Sequence, residues 1–134
     1  MAKRRRTRQI EAYSEPQTPP INLLFTLSSF RALLTEGARP DGRYTHQQIK
    51  YWADQFWWKW SKQVELQKTD VPTEIEAAAA LAQDIEMQWD MFLANTYTLP
   101  ELQRLDFSQV LLPFDWFTDW LAQLDDLMPP KIAE

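Results

Sequence analysis

A chain of 134 residues, 45% of them apolar and 13% aromatic with seven Trp and seven Phe, has the size and hydrophobic content for one closed core built largely from rings. The absence of Cys removes disulfides, thiolate nucleophiles and thiolate metal ligands, and suits a reducing, cytoplasmic compartment. The net charge of −5 conceals an asymmetry: residues 1–68 carry 12 basic and 6 acidic side chains against 2 and 13 in residues 69–134, so the halves stand at +6 and −11.

Residues 1–20 read as a flexible basic arm. Lys3, Arg4, Arg5, Arg6 and Arg8 open it, and a polar stretch ending in Pro19-Pro20 offers little to bury. Glu11 and Glu15 stand where a secretory leader would need an apolar run. The run from Ile21 to Leu34 is too short to span a bilayer and is broken by Ser28, Ser29 and Arg31, so no membrane segment is expected. Within that run Leu23, Leu27, Phe30 and Leu34 recur at helical spacing, and Gly37 supplies a C-terminal stop.

Pro40-Asp41-Gly42 marks a turn in which Gly42 accepts a positive φ. Thr45 and Gln48 then have the form of a capping box, and Ile49, Trp52, Phe56, Trp60 and Val64 trace one apolar face to about Lys68. After Asp70-Val71-Pro72, Thr73 and Glu76 repeat the capping-box form. Glu74 and Glu76 suit the positive end of the helix dipole. This third helix is expected to run to about Tyr97 with Ile75, Ala78 or Ala79, Ala82, Ile85, Trp89 and Phe92 inward, the Ala77–Ala80 end permitting close approach of a neighbour. Thr98 and Glu101 open a short helix through Leu102 and Leu105 that ends near Asp106. Phe107–Leu112 has no clear period. Phe114, Phe117, Leu121, Leu124 and Met128 form a last amphipathic helix stopped by Pro129-Pro130. With two Gly and no alternating pattern there is little room for a sheet. The expected fold is all-α, a four- or five-helix antiparallel bundle over residues 21–128, with the arm before it and a tail at 129–134.

Catalytic groups are sparse. His46 is the sole histidine, reads as exposed at a helix start, and cannot supply the several imidazoles of a zinc site. The carboxylate pairs Glu86/Asp90 and Asp115/Asp119 fall away from the apolar stripes and read as solvated. No Glu is followed three residues later by His, and no glycine-rich phosphate loop exists. No catalytic residue, metal or cofactor is expected, and the chain does not read as an enzyme.

Partner signals are stronger. In Phe56-Trp57-Trp58-Lys59-Trp60 the rings point all around a helix, and Trp58 falls beside Tyr51, Asp54 and Lys62 on the side turned from the main stripe. A tryptophan there marks either a further packed helix or a binding surface. On the last helix Trp116 and Trp120 flank Asp115, Asp119 and Asp126, an aromatic edge beside an acidic face. The leading expectation is a non-catalytic helical interaction module, an adaptor, assembly factor or inhibitor. It would dock a protein partner or a second copy through Tyr51, Trp58, Lys62, Asp115, Trp116, Asp119 and Trp120. The alternative is a nucleic-acid-associated accessory protein whose arm, Lys3, Arg4, Arg5, Arg6 and Arg8, neutralises phosphates. Arg31, Arg39, Arg43, Lys50, Lys59, Lys62 and Lys68 extend that positive character through the first two helices.

Overall fold

The computed structural model describes residues 18–67 and 71–127, the side chains of 63–67 excepted. The basic arm up to Gln17, Val64, Lys68 and the C-terminal residues from Met128 therefore lie outside the described residues or side chains. Every regular element described is helical: α1 (Leu27–Gly37), α2 (His46–Gln67), α3 (Thr73–Thr96), α4 (Leu99–Arg104), a 3₁₀ turn (Phe107–Gln109) and α5 (Phe114–Leu127).

Local chemistry sets most of these boundaries. At the start of α2 the Gln48 N–H donates to Thr45 Oγ1 over 3.0 Å and the Thr45 N–H to Gln48 Oε1 over 2.9 Å, closing the expected capping box. Thr98 and Glu101 do the same for α4. The third expected box is not formed. Pro72 takes the N-cap position of α3, and its carbonyl accepts from both Ile75 N–H and Glu76 N–H, which draws Thr73 into the first helical turn. The first helix also starts later than its apolar spacing suggests, at Leu27 rather than Ile21, because Thr26 caps it by accepting from the Ser29 N–H. Residues 18–24 are non-helical, and Leu23 is exposed rather than part of a buried face.

That extended segment is strapped onto α2. Gln48 donates from its side-chain amide to the Pro19 carbonyl (2.9 Å), Trp52 Nε1 to the Leu23 carbonyl (3.2 Å) and Trp60 Nε1 to the Phe25 carbonyl (3.2 Å). The donors and acceptors ascend together, so the strap runs parallel to α2. Backbone outside regular structure needs such partners, and an indole supplies one while its ring is buried. Phe25 and Phe30 stack against Trp52, and Phe30 against Phe56.

The helices form a ring of contacts: α1 packs on α2, α2 along α3, α3 on α5 and α5 on α1. Ala53 on α2 and Ala78, Ala79 and Ala82 on α3 are all buried, the small side chains that let the most extensively packed pair approach closely. Because α3 serves two neighbours, its buried band is wider than one stripe. Leu81 and Leu93 join Ile85 and Trp89 inside, while Ile75 and Phe92 are half-buried.

One end of the core is closed by His46, which is buried, contrary to its expected exposure. Its Nδ1 accepts from the Leu112 N–H at 2.9 Å, which fixes the proton on Nε2, and Nε2 donates to the Gly37 carbonyl, also at 2.9 Å. The imidazole lies 4.3 Å, centroid to centroid, from Phe117 and 5.5 Å from Phe114. Gly37 is accordingly more than a helix stop. It is the last residue of α1, and a Cβ on it would overlap three ring carbons of Phe117. At Gly42 the constraint is again space and not a left-handed φ, since a Cβ would overlap the Glu36 carbonyl oxygen.

Two predictions follow from this junction. Burial lowers the His46 pKa from its ordinary value, against a smaller raising effect of the Gly37 carbonyl. Below about pH 6.5 the unfolded chain takes up a proton that the folded chain resists, so stability falls with pH until the folded pKa is passed, by at most about 1.4 kcal/mol per pH unit. Denaturant melts between about pH 7.5 and pH 5 should show this slope in the native chain and lose it in His46→Gln; an equal slope in both would exclude His46 as its origin. Gly37→Ala should cost about 1–3 kcal/mol by overpacking, with partial recovery when Phe117→Leu is added; a neutral single variant would refute the close approach.

Candidate interaction surface

The outward side of α2 is where an interaction surface is best developed. Ile49, Trp52, Ala53 and Phe56 point inward, which turns Trp58, two residues past Phe56, to the opposite side, and the residue is 43% exposed. Lys62, one turn on, places Nζ 5.1 Å from the Trp58 ring centroid, and Trp57 meets the same ring edge-on at 5.4 Å. Lys59 is exposed and lies over Trp60, Nζ at 5.2 Å. Trp58 and Lys62 thus form one exposed cation–aromatic pair, with half-buried Asp54 one turn before Trp58 and Lys59 turned onto Trp60. Trp57 and Trp60 are half-buried and pack on the core.

Tyr51 lies two turns before Trp58 on the same side of α2. It is half-buried, with Lys50 Nζ 4.3 Å from its ring centroid, and it lines a cleft of about 220 Å³ between α2 and the strap, with Pro19, Pro20, Gln48, Trp52 and Gln55. Lys50 itself is buried rather than part of an open basic face.

On α5, Asp115, Asp119 and Asp126 are exposed, and their spacings of four and seven set them in one row opposite buried Phe117 and Leu124. Asp125 lies beside the row but is engaged. Arg31 of α1 donates to both of its carboxylate oxygens, at 2.8 and 3.3 Å. Being exposed, that pair contributes at most about 1 kcal/mol. Trp116 is half-buried, edge-on to Phe92 at 6.0 Å. Trp120 must be removed from any binding rim: it is buried, edge-on to Phe117 at 5.1 Å, because α5 packs on both α1 and α3 and its inward set is Phe117, Trp120 and Leu124. A single stripe through Leu121 had left Trp120 at the edge, whereas Leu121 is only half-buried.

Glu86 and Asp90 are half-buried and each makes an interaction, so neither reads as a freely solvated carboxylate. Among the described residues no three His, Asp or Glu side chains converge as metal ligands, and no helix is long and apolar enough to cross a membrane. Two features were missed by periodicity. Met87 and Met91 stand one turn apart on the outer side of α3, 48% and 51% exposed, and Leu24 of the strap is 78% exposed. The methionines were detectable as the residues left outside the α3 stripe; Leu24 was hidden by its place in an apolar run.

No protein-family model matches the chain, and comparison with curated proteins and with solved structures gives no significant similarity.

Proposed function

We propose that this chain is a non-catalytic interaction module of the cytoplasm, an antiparallel helix bundle behind a basic arm, acting as an adaptor, assembly factor or inhibitor that docks a protein partner through exposed helix faces. The exposure of Trp58 is the observation that supports it most. The other six tryptophans are buried or half-buried, so this fold has ample means of enclosing indoles and leaves one out, with Lys62 over its ring. Tryptophan is among the residues that contribute most when buried at an interface. His46 supports the same reading, since both of its nitrogens are engaged in holding the fold together.

Nucleic acid is the competing occupant, favoured by the same patch: a cation-flanked exposed ring can stack on a base while Lys59 and Lys62 approach phosphates. Affinity capture with the full chain, with and without nuclease, separates the two.

Trp58→Ala should leave helical content and the melting temperature nearly unchanged while weakening the captured protein complex at least about tenfold. Trp120→Ala should instead destabilise the fold by about 3–5 kcal/mol. An unaltered complex with Trp58→Ala would remove this surface from the interface, and a complex lost on nuclease treatment would shift the reading to nucleic acid.

A further inference from the structure

Resting on the interaction reading but not on Trp58, we infer that the groove between α3 and α5 binds a basic amphipathic helix of a partner protein. Both helices supply its walls: Ala77, Ala80, Leu81 and Asp84 of α3 face Gln123 and Leu127 of α5 across about 280 Å³. Farther along, Phe92 of α3 meets Trp116 of α5 edge-on at 6.0 Å, so the two helices run antiparallel on either side of it. Seven residues are close to two helical turns, so Met91 continues the line of Ala77 and Asp84, and Met87 that of Ala80. Met87 and Met91 are 48% and 51% exposed. Groove and methionines thus make one apolar strip about 21 Å long from Ala77 to Met91, with half-buried Asp84 within it.

A strip of that length, laid along two helices, suits a third whose apolar residues recur at i, i+3 or i+4 and i+7. Ala77 and Ala80 let its backbone approach closely. Met87 and Met91, unbranched and polarizable, adapt to its side chains.

Charge selects among such helices. Neither α3 nor α5 holds a Lys, Arg or His; between Thr73 and Leu127 the sole basic residue is Arg104 of α4, which stands beside Glu101. Not every acid is available, since Arg31 holds Asp125, and Glu86 and Asp90 each make an interaction. What borders the strip is Asp84, exposed Glu76 one turn before Ala80, and exposed Asp119 and Asp126, one turn either side of Gln123. Among the described residues no cation pairs with Asp84, Asp119 or Asp126. A second copy docked by the same face would set acid against acid, and a phosphate backbone would meet the same repulsion. The Trp58 side of α2 carries both Asp54 and Lys62 and offers the strip no single sign. A helix bearing Lys or Arg beside its apolar residues meets both the strip and its rim.

The test uses the full chain, freed of nucleic acid, and three labelled peptides of about 18 residues, long enough to lie along the strip. One carries Leu at i, i+3, i+4 and i+7 with Lys elsewhere, one has Glu in place of Lys, and one has the Leu and Lys scrambled so that no apolar face forms. In fluorescence anisotropy at about 0.1 M salt, the Lys helix should bind at least about tenfold more tightly than either control. Met87→Ala with Met91→Ala should weaken it about tenfold, while Trp58→Ala leaves it unchanged. Asp119→Lys with Asp126→Lys should reduce the preference for the Lys helix over the Glu helix at least about tenfold. All these positions are exposed, and circular dichroism with thermal melts checks that the variants fold.

Equal binding of the three peptides overturns the proposal, as does binding of the Lys helix that the methionine pair does not affect. Binding that appears only after residues 1–8 are deleted would give the strip to the chain's own basic arm and overturns it too. So would self-association in sedimentation equilibrium that is lost with the methionine pair, which would give the strip to a second copy. If no peptide binds while Trp58→Ala still abolishes capture of a protein, the groove falls and the interaction module stands. If no peptide binds and only nucleic acid is captured, both fall.

Discussion

The imidazole of His46 is the constraint on which the closed end of this molecule depends. One ring joins three segments: it begins α2, holds the carbonyl at the end of α1, and accepts the Leu112 N–H two residues before α5. Two buried backbone groups with no other hydrogen bond described for them are satisfied by one side chain. Only a group that donates on one edge and accepts on the other can do this, which neutral histidine does and its protonated form does not. The fit extends to shape. Phe117 packs against the imidazole and against the space left by the missing Cβ of Gly37, so residues 37, 46 and 117 must be considered together.

Tryptophan has a comparable double role along α2. Trp52 and Trp60 bury apolar area and at the same time donate to the carbonyls of the strap, a segment with no ladder or helix of its own. Gln48 combines two tasks likewise, its oxygen closing the α2 capping box while its nitrogen holds Pro19. The aromatic richness of this chain is thus in large part a way of fastening non-helical backbone to a helix. Against that background Trp58, whose described contacts are with the Trp57 ring and Lys62 and not with the strap, stands apart.

How far the fold was legible in the sequence depended on the range of the interaction involved. The boxes at Thr45 and Thr98 rest on neighbouring residues and could be read directly; the pattern at Thr73 failed because Pro72 was better placed to cap. The outward turn of Trp58 and the exposure of Asp115 and Asp119 followed from period alone. Trp120 did not, since a helix wedged between two others buries more than one stripe and no single period locates its centre. His46 was misread for a different reason. Its partners lie nine and 66 residues away, and nothing near it in sequence announces a buried ring. Likewise the start of α1 was placed too early because an apolar run can serve as extended strap as well as helix.

The span of the His46 contact also bears on the order in which the chain assembles. The α2 and α3 pair joins consecutive elements and its contacts are local, whereas the His46–Leu112 bond closes 66 residues and the Arg31–Asp125 pair closes 94. Long closures cost more chain entropy and are rewarded only after the intervening elements are in place. The latch is therefore expected to form on the native side of the folding barrier, so that altering it changes how fast the molecule opens more than how fast it forms. A chevron comparing the native chain with His46→Gln reads this directly: a slowed refolding limb with an unchanged unfolding limb would place the latch in the nucleus instead. On this account His46 governs the lifetime of the folded chain, and the helical hairpin its birth.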